Sequence, residues 1–495
     1  MLLAALAAFH RPAWSDEGWF ADPAYNLARH GSFGSTHIDP AVYNLKRIDQ
    51  RTYWVMPGFL LGEAAWLIAA PATLFSMRLF SILWIAPAVL ACYVLVSRVT
   101  RSPKAGLLAA LLLAFDYQIL STAAYVRPDL MCLAFGLGAL ACYVALREKR
   151  LHAAAALSGF LLAISGLIHP NAVLHAFGLG VLALALDRRR LSWSILGAGL
   201  AGFGIVVSLY GLYAMQDPEA WRSQLLANSY GRAPRSWNPL TILWLEIKDR
   251  YVAAYSILSP DLIPRLKGAA LLVFASSLLV AAFARAVRDK EGTRLLLALW
   301  LAYFSMQCVF NQKLSYYLVH ILPIYAALVA QVALQLPGQL SGWIGGMRRF
   351  VYLALAGYVL LNAGGVAGLA LTRSHREPER QIGTFLAKHA HDAETIIGSS
   401  AMLFALDFDK RLIDDPMLGA TTGRSAEVLI IVDSLYGDLY RMYRMARPER
   451  WKQVGEIMER YVPVFDSGFG HTIYFRREFA ARKNMPVIRI EGPRF

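Results

Sequence analysis

Residues 79–150 read, in order, LFSILWIAPAVLACYVLVS, RVTRSPK, AGLLAALLLAFDYQILSTA, AYVRP, DLMCLAFGLGALACYVAL and REKR. Three long apolar runs alternate here with a basic corner, a mixed polar corner and a second basic corner. About 20 predominantly apolar residues cross the ~30 Å hydrocarbon core of a bilayer as a helix, so each run reads as a membrane span. Loops rich in Lys and Arg stay on the cytoplasmic side. That rule puts Arg98, Arg101, Lys104, Arg147, Lys149 and Arg150 inside, and Arg127-Pro128-Asp129 outside.

The pattern continues in both directions. Further apolar runs lie at 153–169, 171–186, 191–214, 267–284, 295–310, 315–335 and 350–371. Arg188/Arg189/Arg190, Arg285/Arg288/Lys290/Arg294 and Arg348/Arg349 fall at every second turn. With the apolar stub Met1–Phe9, too short to cross alone and read as the remainder of a first helix, the expectation is about eleven spans in a polytopic all-α membrane bundle. Residues 55–74 (VMPGFLLGEAAWLIAAPATL) are apolar enough to span, but a crossing there would invert every later loop. Pro57, Gly58, Glu63 and Pro71 instead predict an interfacial or re-entrant helix.

Composition agrees. The chain is 57% hydrophobic and 17% charged, against about 45–50% and about 25% in soluble domains. Its net charge of +15 is accounted for by cytoplasmic corners, which removes the case for nucleic-acid binding. Cys92, Cys132, Cys142 and Cys308 each sit inside an apolar run without metal-ligand spacing, so they read as small buried hydrophobes rather than a disulfide framework.

The other ends face outward: the loop 10–57, the corners at Arg127-Pro128-Asp129 and His169-Pro170-Asn171, the loop 215–266, Asn311-Gln312-Lys313, and everything after Arg373. The chain therefore divides into a membrane part, 1–372, and an extracytoplasmic part, 373–495. In the second part SHREPERQ is a polar linker and IGTFLAKHA has helical spacing. β-type runs follow at Thr395–Gly398, Val428–Val432, Tyr461–Phe465 and Thr472–Phe475, with a helix-like segment at 438–460, which predicts a small α/β domain. VLIIVDSLYG reads as a strand ending at a loop. No Gly-rich phosphate motif follows it, so a lid or acceptor-docking module is expected rather than a nucleotide site.

Polar residues that are more than lipid anchors gather on the outer side. The densest stretch is Ser15-Asp16-Glu17-Gly18-Trp19-Phe20. Ser15 can cap a helix whose first turn carries the two acids, a purely structural arrangement. Their place where other polar groups converge equally fits a functional pair.

This Asp-Glu pair, the YNLARHG that follows it, the Arg127-Pro128-Asp129 corner, GLIHPNAVL and QKLSYYLVHILPIYAAL together resemble the GT-C glycosyltransferases. The nearest branch is the bacterial protein mannosyltransferase-like and aminoarabinose transferase-like enzymes, within the dolichyl-phosphate-mannose-protein mannosyltransferase family. The resemblance covers the layout of the whole chain, though its motifs are short. One departure stands out: relatives often carry Lys or His before a double proline after the first loop, where this chain has Val55-Met56-Pro57-Gly58.

The resemblance implies inverting transfer of a sugar from a polyprenyl-phosphate donor to a lipid, glycan or protein acceptor, on the outer side of the cell inner (plasma) membrane. It gives Asp16 the part of general base, and Glu17 would orient the acceptor or a cation. The departing phosphate calls for nearby cations; Arg127, Lys313, Arg222, Arg232 and Arg235 are the outer-face choices. Arg127 can instead make a corner salt bridge with Asp129, and Lys313 can snorkel. His169 can donate to phosphate or sugar, or simply end a helix before Pro170. Tyr316 and Tyr317 suit an aromatic belt as well as a binding site. No metal-ligand spacing is present, while the resemblance leaves a divalent cation open. Two rival readings remain: a lipid or glycan transporter (flippase), and a non-catalytic GT-C-like assembly factor. No internal repeat or mid-span acid supports the transporter.

Overall fold

The computed structural model describes residues 1–229, 237–260, 265–335, 344–372, 377–468 and 470–489. The protein is a multi-pass helical membrane bundle with a small sheet domain at its C-terminal end. Among the described residues, five helices are long and apolar enough to cross a bilayer: Leu74–Thr100, Asp129–Leu146, Leu151–Ile168, Trp193–Ala214 and Glu291–Val309.

The expected eleven full spans are not reproduced by length. The run 105–123 forms Pro103–Ala114 and Tyr117–Ala123, bent by 53°. The bend has a local cause: Asp116, an acid near the middle of this run where none was expected, accepts from the Gln118 and Ile119 backbone N–H groups and so caps a new helix in mid-run. The Tyr358 hydroxyl donates to its other oxygen at 2.6 Å. The run 315–335 opens with a 3₁₀ turn, Ser315–His320, before the helix Leu322–Gln335. The other short apolar helices are Pro57–Ala69, Ala172–Asp187, Gly268–Phe283 and Tyr352–Gly368. At 13 residues Pro57–Ala69 is too short to cross, and Glu63 is fully buried within it rather than at an interface.

The two ends of the bundle separate as the charge pattern demands. Asp187 accepts from Arg147 Nε at 2.6 Å and Arg190 Nη1 at 3.0 Å, tying two basic corners together. Glu291 lies 3.8 Å from Arg101, joining two more. At the opposite end, five expected outer segments converge on one cleft.

The C-terminal sheet has the order β2-β1-β3-β5-β4, with β1 Ile396–Ile397, β2 Leu412–Ile413, β3 Val428–Val432, β4 Tyr461–Asp466 and β5 His471–Arg476. β2, β1 and β3 are parallel, while β5 and β4 complete the sheet antiparallel. Every residue of β3 is buried, as its unbroken VLIIV run requires of a central strand. The helix-like segment is two helices, Asp433–Ala446 and Pro448–Met458, and the first follows β3 directly where a loop was expected. The helix Glu377–His389 takes in most of the expected linker, whose first residues lie outside the described ones.

This domain packs on the back of the helix Ser15–His30. Gly18 lets the two backbones meet: a Cβ there would stand 2.1 Å from the Ser400 carbonyl oxygen. Asp414 gathers Trp19 Nε1 at 2.8 Å, the Tyr43 hydroxyl at 2.9 Å and the Ser400 hydroxyl at 2.6 Å. Ile38 forms a bridge with Asp414, and Tyr25 stacks on Phe408 with centroids 4.1 Å apart. One apolar cluster runs without interruption from Phe20, Phe59 and Phe80 into β1, β3 and β5.

Candidate active site

A cleft of about 210 Å³ opens at the polar end of the bundle. Its wall takes Asp16 from the first helix after the stub, Trp54–Leu60 segment residues such as Met56, and Arg127 and Pro128 from the second outer corner. His169 and Pro170 come from the third, and Gln312, Tyr316 and Tyr317 from the last. These positions are far apart in the chain, and positive-inside topology alone predicts that they share a face.

Arg127 is the centre of this wall. Its Nη1 donates to Asp16 Oδ2 at 2.8 Å and its Nε to Asp129 Oδ2 at 2.9 Å. Its guanidinium stands 3.5 Å over the Tyr316 ring and 5.3 Å from that of Trp14. Both expectations for Arg127 therefore hold in geometry: it makes the corner salt bridge and also faces the cleft. Asp16 is 38% exposed at its side chain, whereas Arg127 is 3% and Asp129 0%. Asp129 does not line the cleft; it holds Arg127 from below.

Glu17 occupies a different environment. Arg78 donates to it from Nε at 2.7 Å and from Nη2 at 2.6 Å, and both side chains are fully buried. The Val126 and Trp14 backbone N–H groups complete its shell. The remaining Arg78 N–H groups go to the carbonyls of Ala8, Arg11 and Pro12. All five guanidinium donors are thus used. This corrects the expectation that Glu17 orients an acceptor or cation: its oxygens are spent on fastening the first outer loop to the bundle.

Lys313 is likewise removed from the cleft. Its ammonium lies 2.8 Å from Glu246 Oε2 and donates to the Gln307 and Cys308 carbonyls. Glu246 also pairs with Arg250 at 2.7 Å. Arg222 does not line the cleft, and Arg232 and Arg235 lie outside the described residues. His169 does line it, with its ring 5.2 Å from that of Tyr317. Val55 and Met56, which stand where relatives often place a cation, form apolar wall.

Sequence reasoning missed Arg78, which begins the longest span, and Glu246, Arg250, His175 and His320. A lone charge at the edge of an apolar run is the one signal that would have found Arg78. The others depend on contacts between segments distant in the chain.

Comparison with known proteins gives this geometry a context. Residues 52–179 match the family model described as dolichyl-phosphate-mannose-protein mannosyltransferase. No curated protein matches the chain in sequence. Among solved structures, ArnT from Cupriavidus metallidurans bound to undecaprenyl phosphate aligns with TM-score 0.62 and 14% identity over 96% of each chain. Its apo form gives 0.61 and 13% over the same shares. The oligosaccharyltransferase of Archaeoglobus fulgidus, tethered to an acceptor peptide, gives 0.53 and 12% over 98% of this chain and 74% of its own. At these identities the structural likeness is one of fold. Arg127, Asp129 and His169 fall within the matched segment and Asp16 before it. Residues 52–179 thus resemble the protein mannosyltransferase family, and nearly the whole chain shares the fold of ArnT.

Proposed function

We propose that the protein transfers a sugar from a polyprenyl-phosphate donor to a lipid, glycan or protein acceptor at the outer face of the inner membrane, with Asp16 as general base. The observation that carries this reading is the position of Asp16: an accessible carboxylate in the wall of the cleft where the outer corners meet, oriented by Arg127. Structures of similar fold support the donor class, since one holds undecaprenyl phosphate and the archaeal enzyme has been seen with dolichol phosphate.

A neutral hydroxyl is a poor nucleophile. Asp16 takes its proton as the acceptor oxygen bonds to the anomeric carbon and the bond from that carbon to the phosphate oxygen breaks. Inversion at that carbon follows from the family resemblance. Negative charge then grows on the departing lipid phosphate, and a guanidinium already fixed by Asp129 and Tyr316 meets it without reorganising. Arg127 spends Nε and one N–H of Nη1 on the two aspartates, which leaves Nη2 for a phosphate oxygen. The apolar stretch Val55–Met56 favours a second reading, a non-catalytic assembly factor that has kept the fold.

Transfer of radiolabelled sugar from a panel of polyprenyl-phosphate donors separates the two. Transfer by the wild type that Asp16→Asn lowers by roughly 10²–10⁴-fold, with the protein still inserted and folded, upholds the proposal. No transfer from any donor supports the assembly factor, and full activity in Asp16→Asn removes Asp16 from the mechanism.

A further inference from the structure

Beneath the cleft, three segments bring Asp129, His169 and His320 together, with one ligand atom of each within 4.8 Å of the others. We infer that these three residues form a binding site for a first-row divalent metal ion such as Zn²⁺. This goes beyond the glycosyl-transfer reading and does not depend on it.

Two of the three donors have no hydrogen-bond partner although they are fully buried: Asp129 Oδ1 and His320 Nε2. Leaving such atoms buried and unsatisfied is unfavourable, and an ion between them would satisfy both. The other Asp129 oxygen is held by Arg127 at 2.9 Å, so the carboxylate is already aimed. His320 is aimed in the same manner. Its Nδ1 lies 3.3 Å from His175 Nε2, and His175 Nδ1 lies 2.8 Å from the Tyr303 hydroxyl. Chains of this kind fix the ring and tautomer of a metal-binding histidine. Space has been made for the relay: a Cβ at Gly136 would stand 2.1 Å from the His175 ring.

A second trio, Cys132, His175 and His320, shares one residue with the first. Its atoms are engaged elsewhere, Cys132 Sγ with Ser165 Oγ at 3.3 Å and both His175 nitrogens in the relay. The Asp129 trio is therefore the site. Two imidazoles and a carboxylate suit Zn²⁺ and neighbouring first-row ions better than Mg²⁺ or Ca²⁺. Three protein ligands leave a fourth position, and His169 lines the cleft, so ions can enter there. His169 Nδ1 accepts the Asn171 N–H at 3.1 Å, a contact that helps to fix its ring.

The test uses the full chain in detergent, carrying no histidine tag, stripped with chelator and then equilibrated with micromolar Zn²⁺. Elemental analysis should find about one zinc per chain in the wild type and in Asp16→Asn, and none in His320→Gln. Tyr303→Phe should weaken zinc affinity by roughly 10–100-fold. Should His320→Gln fail to fold, Co²⁺ loading of the wild type decides: visible bands without thiolate charge transfer support the site, and a thiolate band moves the ion to Cys132. The inference is overturned by that band, by a wild type that holds no zinc, or by a folded His320→Gln that holds as much as wild type.

Discussion

Asp16 and Glu17 are neighbours in the chain, yet they belong to two regions with different physics. On the cleft side, Asp16 shares one guanidinium with Asp129 and remains open to solvent. On the bundle side, Glu17 has a guanidinium to itself in a shell that excludes water. A helix turns successive side chains by about 100°, so adjacent acids at a helix start face different ways. Four satisfied hydrogen bonds and complete burial mark an anchor, whereas an exposed carboxylate beside a part-used arginine marks a place where something else can bind.

The comparison breaks or sharpens first on activity. Asp16→Asn should cost roughly 10²–10⁴-fold in transfer rate while leaving the thermal midpoint in detergent near that of wild type. Glu17→Gln should do the reverse, with activity per folded molecule little changed. A variant set in which Glu17→Gln loses turnover but not stability would exchange the two roles.

Next in size is the anchor. Arg78→Ala leaves the buried Glu17 carboxylate without its countercharge, and breaking a buried pair in this way typically costs about 3–5 kcal/mol. Thermal unfolding in detergent should show the loss, and a shift of only a degree or two would mean that water replaces the guanidinium and the shell is not closed. Smaller again is the seam with the sheet domain. Gly18→Ala puts a methyl group against the Ser400 carbonyl, an overpacking of about 1–3 kcal/mol. Limited proteolysis should then release the C-terminal domain sooner than in wild type, and an unchanged digestion rate would show that the seam yields at no cost.

What could be read in advance divides along the same line. Membrane spans and sidedness follow from transfer free energies that act on each run separately, so the apolar runs and basic corners located the bundle and brought its outer corners to one face. Four of the five strands were legible, β3, β4 and β5 from apolar or alternating runs and the two-residue β1 from its β-branched setting Thr395–Gly398, while β2, Leu412 and Ile413, is hidden between the charged flanks Lys410-Arg411 and Asp414-Asp415. The broken helix at Asp116 was hidden because its cap is one residue inside an otherwise apolar run. Asp16, Arg127, His169 and Tyr316 were expected on one face from their outer positions, and all four line the cleft. Glu17 and Lys313 were misjudged because their partners, Arg78 and Glu246, are 61 and 67 residues away in sequence. The histidine cluster was missed for the same reason: ligand spacing is visible only when the donors sit on one element.

The smallest effect concerns how the first outer loop is held to its helix. Asp22 is buried beneath that loop, where its carboxylate accepts from the Ser35 hydroxyl and the Thr36 and His37 backbone N–H groups. The His37 ring lies 2.8 Å from it. Burial alone would raise its pKa, but the His37 ring and these hydrogen bonds outweigh it and hold the group below the usual carboxylate value of 3.8. A depressed folded-state pKa stabilises the fold above the unfolded value, and that contribution disappears as pH falls through the folded one. The Asp22 contribution should thus be constant from neutral pH down to the ordinary carboxylate range and be lost only below it. Asp22→Asn should lower stability at pH 7 by about 1.5–3 kcal/mol, as expected for hydrogen bonds to a charged group, and the gap to wild type should close in strong acid. Thermal midpoints measured for both proteins from pH 7 down to about pH 1 check the sign. A gap that widened on acidification would mean that the loop is held by a protonated Asp22 instead.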